Sequence, residues 1–386
     1  MIIEIKGTQF INKGAELMLY AALEQIKLKW PEAEIALRPS SHSPYLKRAK
    51  VGAWQKLCLH KHVIDINWLS YYFPQPLRSF LKGWGIVTEA DIDCVLDASG
   101  FAYGDQWPIR QLTHTSKEIT RFHHNKKPFI LLPQALGPFE LPILADSIKQ
   151  HWQHAGLIFA RDKVSYRHIE ACVGESQKLS NLHLMPDFTN LVKGQAVGLE
   201  NANRTVLFIP NNKMLSTKNN RRDWVEHYVD MMATYCVDVD KLGYIPVLLN
   251  HDGDKDQGLC LAIAKQANLP IRIVKIDDPL QVKGLIGEVA AVISSRFHGC
   301  VSALSQGVPC IGTSWSHKYE ELFADYHQQA YLISQPNSDH KPQIDTLLTA
   351  DYANACRTNP AIAELKSQSQ QMWNLVFEKV ESLRGN

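Results

Sequence analysis

A guanidinium and an imidazole stand two residues apart in Ser294-Ser295-Arg296-Phe297-His298-Gly299, directly after the apolar run Ala290 to Ile293 and leading into a stretch of helical spacing, His298 to Gln306. Such groups at a strand end, beside the amides of a helix N-terminus, make a trap for phosphate or carboxylate. Ser295 belongs to the loop of that trap. A plain structural account weighs equally on these six residues alone: Arg296 pairs with a carboxylate, and His298 caps or packs. Two other segments repeat the layout. Leu157 to Ala160 reads as a strand delivering Arg161 at its end, with Asp162 either capping the next helix or orienting the arginine. Val308 to Gly312 reads as a strand followed by Thr313-Ser314-Trp315-Ser316, which sets His317 and Lys318 in the loop or first turn after it. A lysine there opposes the helix macrodipole, so Lys318 invites a reason beyond solvation.

Weaker candidates also follow strands. The loop Gly7 to Glu16 has neither Walker nor dinucleotide glycine spacing, yet Asn12 and Gly14 offer polar groups at a helix start. Gln134 ends a strand before a Gly137-Pro138 turn, and Asp97 and Asp187 place carboxylates after apolar segments. Metal-ligand spacing is absent: His60, His62 and the His123-His124 pair have no Cys or carboxylate cluster at ligand intervals and read as surface residues. No cofactor is expected. No G-x-S-x-G elbow supports serine hydrolase chemistry.

These residues need elements to position them. Ile2 to Ile5, the run ending at Asp97, Phe129 to Pro133 and Leu157 to Ala160 read as strands of one α/β series, with a helix over Ala15 to Leu28. A polar segment, Lys193 to Arg204, reads as a linker. A second series follows, with strands Thr205 to Ile209, Pro246 to Leu249, Ile271 to Ile276 and Ala290 to Ser294. Its helices run over Arg222 to Lys241, Asp254 to Ala267 and Pro279 to Glu288, and Val308 to Gly312 closes it. Apolar strands alternating with helices imply parallel sheets covered on both faces. The expected fold is therefore α/β with two Rossmann-like domains facing a central cleft, in which Arg161 and Arg296 could converge. Residues 1–195 form the first domain, on the acceptor side, and 204–350 the second, on the donor side; 351–386 form a helical segment packing back on the first.

With 386 residues, 45% hydrophobic and 21% charged, the chain can bury two cores. Its 41 basic and 39 acidic residues leave a net charge of +2, which argues against a nucleic-acid partner and makes any anion site local. Eight scattered cysteines without a C-x-x-C pair read as free thiols. The start, Met1 to Gly7, lacks a secretory signal and no apolar run spans a bilayer, so a cytoplasmic protein is expected, with peripheral contact at the inner face of the membrane left open. The aromatic stretch Asn67 to Pro74, followed by Arg78, Lys82 and Trp84, reads first as core packing and otherwise as an acceptor groove or membrane contact.

Taken in order, Asn12-Lys13-Gly14-Ala15-Glu16, Asp97 to Gly100, Pro133-Gln134-Ala135-Leu136-Gly137-Pro138, Phe159-Ala160-Arg161-Asp162, Pro186-Asp187-Phe188, Ser295-Arg296-Phe297-His298-Gly299 and Ser302 to Pro309 resemble the polysaccharide pyruvyl transferase family. The resemblance implies a fold like that of B-type glycosyltransferases. It also implies phosphoenolpyruvate as donor and a saccharide acceptor, lipid-linked or not, that receives pyruvate as a ketal. On that basis Arg161, Arg296, Lys318, Gln134 and His317 would bind the donor, His298 would protonate its methylene carbon, and Asp187 or Asp97 would accept a hydroxyl proton. The same architecture would serve a glycosyltransferase using a nucleotide sugar, or a non-catalytic component of a polysaccharide assembly complex. Oligomeric state is not legible in the sequence.

Overall fold

The computed structural model describes residues 1–386 apart from 62–63, 175–177, 217–221, 315, 337 and 385–386; the expectations for His62 and Trp315 lie outside the described residues, as does the His60 side chain. The chain divides into two compact units. One comprises Met1–Ile11, Met18–Phe188 and Gln368–Asn386, the other Asn12–Leu17 and Thr189–Ser367.

The first unit is built on strands β1 (Ile2–Lys6), β2 (Glu34–Leu37), β3 (Trp54–Lys56), a small hairpin of β4 (His60–Lys61) and β5 (Ile64–Asp65), then β6 (Ile86–Val87), β7 (Cys94–Asp97), β8 (Phe129–Gln134), β9 (Leu157–Ala160) and β10 (Leu182–Leu184). Eight of them form one parallel sheet in the order β10-β9-β8-β7-β1-β2-β3-β6. The order reverses between β1 and β7, whose pairing runs from Ile3 opposite Cys94 to Lys6 opposite Asp97. Strand interiors are buried on both faces, which is why they read as continuous apolar runs.

The second unit carries β11 (Thr205–Ile209), β12 (Ile245–Asn250), β13 (Arg272–Lys275), β14 (Ala291–Ser294), β15 (Cys310–Thr313) and β16 (Leu332–Ile333). They form a parallel sheet in the order β13-β12-β11-β14-β15-β16. In sequence order this is 3-2-1-4-5-6, the doubly wound arrangement, with its reversal between β11 and β14. Alternate residues supply the two cores: Val206, Phe208 and Ile293 pack on one side, and Leu207, Ile209 and Val292 on the other. Two parallel-sheet α/β domains were the expectation from sequence, and two are found. β16 extends the series past Gly312, where it was expected to close.

Two local expectations are corrected. The polar segment taken for a linker is laid along the helix Pro279–Glu288: the Gln195 amide donates to the Leu280 carbonyl (2.9 Å), and the Val197 amide donates to Glu288 Oε1 (2.6 Å). A Cβ at Gly284 would sit 1.8 Å from the Gln195 carbonyl oxygen. Backbone cannot yield as a flexible side chain does, so Gly284→Ala is expected to cost about 1–3 kcal/mol, read as a lower urea midpoint. The aromatic stretch packs on one face only: Ser70 is buried and Leu69, Tyr71 and Phe73 are half-buried, whereas Trp68 and Tyr72 are exposed, as are Phe80 and Trp84 just beyond it, and the helix Gln75–Gly83 buries no residue. That helix flanks β6, the edge strand of the first sheet.

Among the described residues all eight cysteines are free thiols. His123 and His124 are exposed. No described helix is long and apolar enough to cross a membrane.

Candidate functional site

In a doubly wound sheet, ligands gather beyond the carboxyl ends of the strands at the point where the order reverses. β14 ends there at Ser294, and the helix Phe297–Leu304 follows with Arg296 at its N-cap. The strand's apolar residues drive it into the core, while Ser294 Oγ accepts from the Arg296 amide (3.0 Å) and turns the chain outward. Ser295 is fully buried. Its hydroxyl meets those of Tyr228 and Thr313 (2.7 Å from Thr313), and its carbonyl accepts from Tyr319 Oη (2.9 Å) and Asn211 Nδ2 (3.1 Å). Ser295 therefore anchors the turn and offers nothing to a ligand directly.

Arg296 is 5% exposed and held by two carboxylates: Nη1 lies 2.9 Å from Asp252 Oδ2, and Nη2 bonds Asp256 Oδ2. The carboxylate partner that the sequence left open is thus real, and doubled. Asp252 follows β12, and Asp256, in the first turn of the helix Asp254–Ala267, also accepts from the Asn212 amide (3.3 Å) beyond β11. Three strand ends meet on this one guanidinium.

His298 is the one residue of its helix that is not buried, and its ring packs edge-on against Phe297 at 5.5 Å. Gly14 lies against that ring. A Cβ at position 14 would stand 2.5 Å from His298 Nδ1. Asn12 prepares the approach by accepting from the Gly14 and Ala15 amides (3.0 and 3.3 Å), capping the helix Lys13–Lys29. Gly14→Ala is expected to displace the imidazole and lower turnover about a hundredfold, checked by kinetics beside an unchanged circular dichroism spectrum. Lys318, in the first turn of His317–Asp325, lies 5.2 Å from the Phe297 ring centre and 5.5 Å from that of Tyr319. It joins the cluster through an aromatic wall. His317, beside it, is half-buried.

The electrostatics are those of a cation-rich recess. Burial first, then the charges of Arg296, His298 and Lys13, pushes His251 well below the ordinary imidazole value, so it stays neutral. Lys213 is partly exposed, and desolvation and then Arg296 push its ammonium down; Asp252 opposes this. Burial pushes Asp256 up, ahead of the opposing pull of Arg296. Arg296, His298 and Lys318 thus stand at one helix N-terminus, with Lys13 near enough to act on His251 and Lys213 near enough to feel Arg296; Lys13 pairs with Glu16 (2.6 Å) as Arg296 does with its two aspartates. Asp252, Asp256, His251 and Lys213 were missed in the sequence. Asn250-His251-Asp252-Gly253, directly after an apolar strand, was the available signal.

Arg161, Asp187 and Gln134 belong to the first unit. Arg161 Nη1 pairs with Asp187 Oδ2 at 3.1 Å, both side chains nearly fully buried. The Arg161 amide donates to the Gln134 carbonyl (3.0 Å), and Ser369 Oγ donates to the Asp187 carbonyl (3.3 Å). Asp162 is the N-cap of the helix Lys163–Val173, accepting from the Ser165 amide at 2.6 Å. Asp97 is fully buried, accepts from Tyr103 Oη (2.5 Å) and the Ser99 amide (3.0 Å), and is pushed up by burial. Among the described residues no group of three or more His, Cys, Asp or Glu side chains is placed to hold a metal.

A family model described as polysaccharide pyruvyl transferase matches residues 12–317. No curated protein matches the chain. Among solved structures the chain resembles a candidate UDP-N-acetylglucosamine 2-epimerase from Listeria monocytogenes (13% identity, TM-score 0.61, 99% of this chain and 96% of that one). It also resembles the UDP-GlcNAc 2-epimerase of Neisseria meningitidis bound to UDP-GlcNAc (11%, TM-score 0.60, 98% and 99%). The Anabaena HepE protein in complex with UDP and glucose is similar too (11%, TM-score 0.57, 99% and 100%). At such identities these likenesses carry the fold, of the glycosyltransferase-B type, and nothing of substrate.

Proposed function

The chain belongs to the polysaccharide pyruvyl transferase family of transferases, and from that premise we propose that it moves the pyruvyl group of phosphoenolpyruvate onto two hydroxyls of a saccharide as a ketal. The observation that carries this reading is the pairing of Arg296 and His298 across one helix N-terminus at the reversal point of the second sheet, among lysines. Phosphoenolpyruvate bears a carboxylate and a phosphate on one carbon. A recess of several cations and helix amides suits both. Arg296 and the lysines neutralise the donor, and with the donor's charge in place the imidazolium of His298 is favoured.

His298 then protonates the methylene carbon, leaving the adjacent carbon oxocarbenium-like. One acceptor hydroxyl adds there and returns its proton to the imidazole; phosphate departs toward the cations with the C–O bond's electron pair and takes up the proton of the second hydroxyl as that hydroxyl closes the ketal. Asp252 and Asp256 hold the guanidinium in one orientation. Arg161 and Asp187, which belong to the first unit, are given no step.

Calorimetric titration with phosphoenolpyruvate, UDP-glucose and UDP-GlcNAc tests the reading. Binding of phosphoenolpyruvate alone supports it. Binding of a nucleotide sugar and not of phosphoenolpyruvate sinks it in favour of glycosyl transfer.

A further inference from the structure

The helix Gln75–Gly83 carries its apolar stripe on the wrong side for a core. Leu77, Phe80 and the C-cap residue Trp84 recur at intervals of three and four, which sets them on one face, yet Phe80 and Trp84 are 62% and 73% exposed. Arg78 and Leu81, both half-buried, are the residues turned toward the protein. The 3-10 turns Asn67–Tyr72, joined to this helix by Phe73 and Pro74 alone, add Trp68 and a 78% exposed Tyr72, whose rings meet edge-on at 6.1 Å; Phe80 and Trp84 meet at 6.3 Å. Single apolar side chains on a surface need no explanation, but a cluster of aromatics marks an interaction site. We propose that this edge of the first unit docks on an anionic phospholipid bilayer, with the helix Gln75–Gly83 lying in the interface and Leu77, Phe80 and Trp84 toward the acyl chains.

Charge selects the occupant. From Ile35 to Thr88 the sequence holds eight lysines and arginines and one acid, Asp65, although the chain as a whole is only +2. That segment supplies β3 and β6, the outermost strands at this edge, and everything between them. Asp65 is itself answered by Arg121 Nη2 at 3.1 Å. On the helix, Arg78 pairs with Asp91 (3.1 Å) and Lys82 with Glu34 (3.2 Å); the second pair has both side chains well exposed, so it holds the ammonium only weakly against an anionic headgroup. A lysine whose stem runs along apolar surface, as that of Lys82 does beside the Trp54 ring (5.2 Å), carries its charge at headgroup level while its neighbours go deeper. The helix Tyr45–Lys50, packed on β3, adds exposed Tyr45, Leu46 and Lys50 and no acid.

The residue types agree with a lipid surface. Tryptophan and tyrosine have an apolar body and a polar tip, which suits a boundary dry on one side and wet on the other. A short helix with aromatic and leucine side chains on one face and cations beside them lies on a bilayer rather than across it, and no described helix is long and apolar enough to span one. A second copy of the chain suits the edge less well. An isologous pair would set two basic edges face to face, and β6, two residues long, offers little backbone for strand pairing. No step of pyruvyl transfer enters this assignment, which stands or falls apart from the donor.

Sedimentation of the full chain with vesicles tests the proposal, one set made of phosphatidylcholine and the other of phosphatidylcholine and phosphatidylglycerol in equal parts. The wild type is expected to bind the phosphatidylglycerol vesicles about tenfold more tightly or better, and less tightly as salt is added. Phe80→Ser combined with Trp84→Ser should weaken that binding about tenfold or more; both positions are exposed on a helix that buries no residue, so its thermal melt should match the wild type. Lys82→Gln, which keeps the aromatic stripe, should lower the preference for phosphatidylglycerol about fivefold. Failure of the wild type to sediment with either set of vesicles overturns the docking surface, and so does equal binding by the doubly substituted protein. A wild type that light scattering shows to be dimeric, beside a monomeric double variant, overturns it in favour of a second copy on the same stripe.

Discussion

Alanine in place of His298 leaves the protein folded and lowers phosphate release from phosphoenolpyruvate and acceptor by about 10²–10⁴-fold, the range carried by a positioned general acid. The fold survives because the helix Phe297–Leu304 is anchored by its other residues, all buried. Carbon protonation is the hard step, and the His251 imidazole does not replace this one, being held neutral by burial and by the surrounding cations. An acid catalyst also leaves a signature in pH. The wild-type rate should fall as pH rises through the titration of the acid in the donor complex, and that limb should be missing from whatever rate His298→Ala retains. A variant that keeps the wild-type rate and its alkaline limb would remove His298 from the chemistry.

The second unit was the more legible half. Its strands are continuous runs of Val, Ile, Leu and Phe because both faces are covered, and its helices Arg222–Lys241, Asp254–Ala267 and Pro279–Glu288 carry clear apolar spacing. The stretch from Trp30 to Asp91 was opaque for a physical reason. β2, β3 and β6 are four, three and two residues long, with polar or half-exposed positions toward the sheet edge, too short for any period to register. The helix Ile109–His124 hid because two of its buried positions are Thr115 and Ser116, where Lys6 and the Trp152 indole (3.0 Å to Ser116 Oγ) find partners. A hydrophobic pattern cannot show a face that is partly built from hydrogen bonds.

For the site, sequence could place Arg296 and His298 at a strand end, because strand, turn and helix are local. It could not see which carboxylates answer the arginine, since Asp252 and Asp256 lie 44 and 40 residues away in sequence on a different strand loop. Nor could it separate Arg296 from Arg161: both end strands, and only the three-dimensional pairing puts one with Asp187 and the other in a recess with a histidine and lysines.

Arg296→Ala is expected to lose donor binding and, separately, about 3–5 kcal/mol of stability, because it strands a buried carboxylate that the guanidinium had satisfied. The two losses are separable by pH and by a compensating change. Burial already pushes Asp256 up in the intact protein, against the pull of Arg296. A carboxyl raised on folding stabilises the fold below its unfolded titration, and that contribution disappears as pH rises through the folded value. Without the guanidinium the folded value climbs further. The deficit of Arg296→Ala should therefore be small near about pH 4 and grow toward about pH 7, as urea melts at the two ends would show; a deficit independent of pH would mean that Asp256 is not the stranded group. Arg296→Met with Asp256→Leu removes the charge pair together and should recover most of the stability. It should still fail to bind phosphoenolpyruvate, since the recess then lacks the fixed guanidinium charge and keeps the Asp252 carboxylate. Donor binding retained by that stable double variant would show that the guanidinium serves only to hold three strand ends together.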